Sequence, residues 1–411
     1  MGRRLFPAMQ PLDYDHFRAA LSQERLPAAL VHLEALEANL EWILAPVRAS
    51  GKTLRIASKS LRVPSLLRYL MERSRGLAQG VMCFTVAEAA FLAEQGFDDL
   101  LVAYPTVQDS DLNSLARLTG QGTRVCLVVD SEVHLQALSR VGRERGVILR
   151  AAVELDVSYR RGRGRVHVGA RRSPVRDARR VLELIRQAEK LGGVRVVGLM
   201  GYEAQIAGVP DRDPFTSLMN PVARAVKWFS RPDVARKREQ VAERLRREGI
   251  QLEFFNGGGT GSLDSTPRES AVTEVTAGSG FYCPHLFSYF RSLRLHPAAF
   301  FALQVVRVSD PGLVTCLGGG YVASGPSSPD KLPIPHSPPG LQLLSLEGAG
   351  EVQTPLRLSP SAPRLQPGDP VIFRHAKAGE LMERFNEALL IREGRVKDRV
   401  PTYRGLGKCF L

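Results

Sequence analysis

Short apolar runs alternate with amphipathic stretches along the chain as far as residue 255. The runs fall at residues 28–31, 53–57, 80–82, 100–103, 124–129, 148–155, 194–200 and 252–255. Each has the length of a buried strand. Between them, residues 33–45, 63–73, 86–95, 111–118 and 173–191 repeat apolar side chains three and four positions apart, the period of a helix with one buried face. Strands alternating with helices build parallel βαβ units, and eight such strands predict a closed (β/α)8 barrel of the TIM type, an α/β fold. Residues 211–249 are longer than the other crossovers and densely charged, which predicts an extended helical insertion on the surface.

Beyond residue 286 the texture changes. Runs at 301–309, 312–317 and 371–373 are broken by turn residues and predict a β-rich domain; residues 322–340, dense in proline and serine, predict a loop. The expected organisation is a barrel over 26–285 followed by a C-terminal β domain over 286–411, completed by residues 1–25. The 411-residue length suits this division, since such a barrel takes about 250 residues.

Hydrophobic residues make up 44% of the chain, enough for a large core, so disorder is not expected. The net charge of +14 raises the question of nucleic acid. The basic residues are spread over helix-like segments, such as Arg236, Lys237, Arg238, Arg244, Arg246 and Arg247, with no interleaved aromatics. Solvated helix faces account for them, and no nucleic-acid partner is expected. Such a charge would draw in anionic substrates and a phosphorylated cofactor. The cysteines Cys83, Cys126, Cys283, Cys316 and Cys409 are odd in number and form no CxxC pair, which points to a reducing compartment. Residues 1–7 carry two arginines with no apolar stretch behind them, and no run is long enough to span a bilayer; a cytoplasmic location with no membrane partner is expected.

Three segments carry candidate chemistry. The run at 53–57 delivers Lys59 to its C-terminal end. A lysine there, if partly desolvated, becomes a Schiff-base nucleophile; otherwise it is a solvated surface group. After the last predicted barrel strand comes Asn256-Gly257-Gly258-Gly259-Thr260-Gly261-Ser262. Its glycines let backbone N–H groups approach an anion, and barrels often build phosphate sites from loops near their last strands. No Lys-Ser/Thr follows, so it is not a nucleoside-triphosphate loop. Glu274-Val275-Thr276-Ala277-Gly278-Ser279-Gly280 is a second candidate turn.

In their order, and in the form Leu-Arg-x-x-x-Lys taken by Leu54 to Lys59, these segments resemble the fold-type III pyridoxal-phosphate (PLP) enzymes. The likeness is to the alanine racemase-like barrel, and within it to the D-threonine aldolase and D-serine dehydratase branch, the amino acid deaminase/aldolase group. The resemblance implies that Lys59 is the Schiff-base lysine. It also implies that Gly258, Gly259 and Thr260 hold the PLP phosphate, that Gly278 and Ser279 close the cup, and that Tyr202 contacts the cofactor. The family strand written Glu-x-Asp, here Glu154-Leu155-Asp156, is followed by an arginine that meets the cofactor ring. This chain offers Arg160, Arg161, Arg163 and Arg165, and we assign the role to Arg165.

The branch also carries a divalent-metal site, a histidine with an aspartate or cysteine two residues on. Here Arg374-His375-Ala376-Lys377 supplies the histidine and then a lysine, and an ammonium is no metal ligand. Either Glu380 or Cys283 completes a site for Mn, Mg or Zn with His375, or the metal is absent and Lys377, beside Arg374, binds the substrate carboxylate. Leu61 and Arg62 replace a histidine-lysine pair of the aldolases, and Phe84 replaces a glutamine.

The resemblance therefore implies a PLP-dependent lyase acting on small D-β-hydroxy amino acids, with the chain as a homodimer. In retro-aldol cleavage a base near His375 takes the β-hydroxyl proton; in deamination Lys59 takes the Cα proton. The near rival is an amino-acid racemase of the same fold, whose second base would be a partner subunit's tyrosine equivalent to Tyr282, Tyr289 or Tyr321. A non-catalytic PLP-binding protein is the alternative from another class, although such proteins are usually the barrel alone.

Overall fold

The computed structural model describes residues 12–411, so the leaderless N-terminus expected at 1–7 lies outside the described residues. Eight parallel strands close into a barrel: Thr53–Ala57, Ala78–Cys83, Leu100–Val102, Val125–Val129, Leu149–Glu154, Val194–Gly201, Phe254–Gly257 and Glu274–Ala277. Closure is made where Glu274 pairs with Thr53 and Phe254 with Gly198.

Seven of these strands overlap the predicted runs. The eighth does not. Ala28–His32 lies in the other sheet, antiparallel to Ala299–Asp310 and parallel to Glu387–Arg392, and Glu274–Ala277 takes its place in the barrel. Every residue of both segments is buried, so an apolar run carries no mark of which sheet it joins.

The helices begin and end where side chains satisfy their free backbone groups. The Thr85 hydroxyl accepts from Glu88 N at 3.1 Å and Asp177 from Arg180 N at 2.9 Å. Gly146, with φ of 65°, ends Glu132–Arg145 in the left-handed conformation that glycine allows. The charged insertion forms the helix Asn220–Arg247.

The second sheet has nine strands, eight from the C-terminal part and Ala28–His32. Several elements escaped the sequence pattern, among them the strands Leu341–Leu343, Gln353–Leu358, Glu387–Arg392 and Arg395–Pro401. Ile334–Ser337 pairs with Pro370–Arg374 inside the predicted loop, and Tyr159–Arg161 with Val166–Val168 forms a hairpin in the arginine-dense turn.

Inside the barrel, Leu101, Cys126, Val128, Ala152, Val197 and Met200 form an apolar plug. Beside it Arg55, almost wholly buried, donates through Nε and Nη2 to Glu274 at 2.7 and 2.8 Å and to Asp99 at 2.9 Å. A charge buried at this depth is tolerable only because both carboxylates answer it. The cysteines are free, and no helix among the described residues is long and apolar enough to cross a membrane.

Candidate active site

A pocket opens at the C-terminal ends of the barrel strands, the face where barrels of this type carry their chemistry. Lys59 reaches it because the Thr53–Ala57 strand runs into one tight turn, Ser58–Ser60. The Ser58 hydroxyl pins that turn by donating to Met82 O at 2.9 Å. From the other side the C-terminal domain presses on it at Gly379, where a Cβ would lie 1.8 Å from Lys59 O. The lysine side chain is exposed into the pocket, with Nζ donating to the Tyr104 hydroxyl at 3.3 Å.

The glycine turns form the adjoining wall, since the Glu274–Ala277 strand pairs with Thr53–Ala57. A Cβ on Gly259 would stand 2.8 Å from Ala207 Cβ and 3.1 Å from Cε2 of Tyr202, and one on Gly278 2.6 Å from Ser60 Oγ. Thr260 and Ser279 each begin a short helical turn, whose first N–H groups have no acceptor within it. Gly280 N donates to Thr260 Oγ1 at 3.0 Å and ties the two turns together. Crowded glycines, hydroxyls and turn amides suit a phosphate, and Lys59 lines the same pocket. These residues fit PLP.

Asn256 and Thr276 lie at the base, with Asn256 Nδ2 donating to Glu274 at 2.7 Å and to Thr276 Oγ1 at 2.8 Å. Tyr202 lines the wall as expected. Desolvation and the neighbouring Glu203 push its phenol up to about 12, so it is neutral near pH 7.

The structure corrects the arginine. Arg165 is exposed on the hairpin and does not line the pocket. The hairpin also carries its neighbours away: Arg160 pairs with Asp156 at 3.0 Å and Arg161 with Asp233 at 3.4 Å. The chain returns to the pocket at Arg172, whose guanidinium carbon lies 5.5 Å from the Tyr104 ring centroid and 5.9 Å from that of Tyr202. Burial pushes nearby Glu154 up to about 7, with Arg172 pulling the other way.

The residues expected from the C-terminal domain are not brought into this pocket. Arg374 is buried and donates to Cys283 O at 3.0 Å and Ser288 Oγ at 2.7 Å, a structural tie. His375 is buried edge-on to Tyr282 with neither ring nitrogen hydrogen-bonded; desolvation, aided by Arg374, drives its pKa to about 3. Lys377 donates to Ser324 O, and Glu380 accepts from Ser324 N at 2.9 Å. His375, Lys377 and Glu380 line a separate cleft together with Arg62. Cys283 is buried with a raised pKa, and no group of three or more His, Cys, Asp or Glu among the described residues is arranged to hold a metal. Among the described residues the two candidate partners of His375 are engaged elsewhere, Glu380 with Ser324 and Cys283 with Ser288.

Tyr104, Arg172, Asn256 and Thr276 were missed as individual site residues. Tyr104 follows a predicted strand directly, so its place at a barrel strand's C-terminal end was a usable signal. Arg172 had none, since only the hairpin's path returns it.

Residues 31–285 match the family model described as the alanine racemase, N-terminal domain. The chain is 27% identical to D-threonine aldolase of Arthrobacter sp over 278 residues, 68% of this chain and 65% of that relative's length. Among solved structures it resembles D-threonine aldolase from Filomicrobium marinum, with a TM-score of 0.79, 21% identity and coverage of 93% of this chain and 96% of that one. It also resembles D-threo-3-hydroxyaspartate dehydratase from Delftia sp. HT23, with a TM-score of 0.72, 21% identity and coverage of 93% and 98%. At these identities the structural likeness speaks for the fold alone. The family match spans more than half of the chain, ends just past the second glycine turn and contains the whole barrel: the protein belongs to the alanine racemase N-terminal domain family of fold-type III, PLP-dependent proteins.

Proposed function

We propose that the protein is a PLP-dependent lyase for D-β-hydroxy amino acids. Its reaction would be either retro-aldol cleavage to glycine and an aldehyde or deamination to a 2-oxo acid and ammonia. The observation that carries this is one pocket lined by Lys59, by the paired glycine turns and by Arg172. The names of the relatives, D-threonine aldolase and D-threo-3-hydroxyaspartate dehydratase, support both outcomes.

The bound cofactor supplies an electron sink; the protein supplies position and proton handling. Lys59 Nζ, hydrogen-bonded to Tyr104, is the group that exchanges protons on its side of the pocket. Arg172, beside Tyr104 and Tyr202, would offer a fixed positive charge to a bound cofactor, and a cation near an aromatic nitrogen disfavours its protonation. The homodimer and the cytoplasmic setting belong to the same proposal. Leu218 and Trp228, exposed at 91% and 71% near the start of the long helix, support the first, and the free cysteines support the second.

The racemase alternative loses one of its second bases. Tyr282 is fully enclosed, its hydroxyl donates to Leu61 O at 3.1 Å, and burial raises its pKa strongly. The deciding experiment is product analysis of the holoenzyme with D-threonine, D-serine, D-3-hydroxyaspartate and D-alanine, in parallel arms with added Mn²⁺ or Zn²⁺. Glycine with aldehyde, or 2-oxo acid with ammonia, is expected from a β-hydroxy substrate. Interconversion of D- and L-alanine without either product overturns the proposal.

A further inference from the structure

The helix Asn220–Arg247 sends one side chain beneath the glycine turn. Arg238 is fully buried and donates to Gly201 O, to the Glu203 carboxylate, and to Glu269 at 2.7 Å. Glu203 is fully buried as well. Its Oε1 accepts from the Ser262 hydroxyl at 2.6 Å and from the Thr266 hydroxyl; its Oε2 accepts from Gly258 N at 3.1 Å and from Arg238. The Ser262 oxygen accepts in turn from Gly259 N at 3.1 Å. Burial opposes ionisation of Glu203, but Arg238 and the two hydroxyls outweigh it and hold the carboxyl below its usual range.

This arrangement aims the amides of Gly258 and Gly259 inward, at Glu203 directly and through Ser262. Thr260 and Ser279 are left to line the pocket. A lone carboxylate under an anion cradle would repel the anion, and Arg238 removes that objection. A triple-glycine turn has many conformations of similar energy, so something must select one. Four donors converging on one buried carboxylate do so.

We propose that Glu203 is the positioning residue of the phosphate cup: its ionised carboxylate clamps the turn from Gly258 to Thr266 in the shape that receives the cofactor's phosphate. The clamp rests on the PLP assignment of this pocket and acts on phosphate recognition, not on the reacting atoms.

The test compares PLP with pyridoxal, which lacks the phosphate, on full-length protein freed of cofactor. In Glu203→Gln an amide N–H faces donors, and the PLP dissociation constant is expected to rise about tenfold or more while that of pyridoxal changes less than about twofold. Thr266→Val removes one donor and keeps the shape; it is expected to give a smaller loss with the same selectivity and a displaced ³¹P resonance of bound PLP. It carries the comparison alone if the glutamine variant does not fold. Equal losses for both ligands, or none for either, overturn the clamp. A wild type that binds PLP no better than pyridoxal overturns the cup assignment and the clamp with it, whereas a wild-type preference kept intact in folded variants overturns the clamp only.

Discussion

Lys59 and Arg172 divide the residue-scale chemistry. Borohydride reduction of the holoenzyme followed by peptide mapping is expected to find the pyridoxyl group on Lys59, and Lys59→Ala to lower turnover by roughly a thousandfold while the barrel stays folded. Label on another lysine would sink the assignment. The arginine correction is equally open to measurement. Arg165 is exposed on the hairpin, so Arg165→Leu is expected to leave the visible absorption maximum and kcat/KM within about twofold of wild type. Arg172 touches two pocket tyrosines, so Arg172→Leu is expected to move the absorption maximum and lower kcat/KM by about ten- to a hundredfold. The reverse pattern would restore Arg165.

At the scale of elements, the cup is two turns held by contacts from three directions: the Lys59 turn, the Ala204–Ala207 helix and Tyr202. Gly259→Val puts a branched side chain where Ala207 and Tyr202 already stand, at 2.8 and 3.1 Å from the new Cβ. The turn must shift, and PLP affinity is expected to fall by about ten- to a hundredfold with the circular-dichroism spectrum unchanged. Unchanged affinity in a folded variant would exclude this turn as the cradle. The hairpin Tyr159–Val168 has the opposite character: Arg160 and Arg161 are held by the buried carboxylates of Asp156 and Asp233, away from the pocket, although they follow a strand of the barrel.

The whole molecule responds to pH through groups that burial has shifted in opposite senses. His285 and His336 are held near 4 and His375 near 3 by desolvation, and His32 moves the same way. Each stays neutral when folded but takes a proton in the unfolded chain below about 6.5, so stability falls as pH drops through about 6.5 towards 4. Burial raises Glu88 and Glu154 to about 7. Each then holds a proton in the fold that the unfolded chain has released, so stability falls as pH rises through about 7. Differential scanning calorimetry is expected to find the highest Tm near pH 6.5. His375→Leu should flatten the acid limb and Glu88→Gln the alkaline one; a monotonic profile that neither substitution alters would contradict these assignments.

What the sequence determined by itself was local. The alternation of apolar runs and helical periods identified the barrel and seven of its strands, because side-chain period reports which face is buried. Lys59 and the glycine turns were legible because strand end, turn and chemistry sit within a few neighbouring residues. The tertiary structure decided what depends on partners distant in sequence. It chose Glu274–Ala277 over Ala28–His32 to close the barrel, since both are equally buried and only strand pairing separates them. It selected Arg172 over Arg165 through the path of a hairpin, and it set His375 behind Tyr282 instead of beside Lys59. It also joined Glu203 to Arg238 under the glycine turn. Burial can be read from one segment of chain, whereas a strand's neighbour or a buried charge's counter-ion exists only once two segments have met.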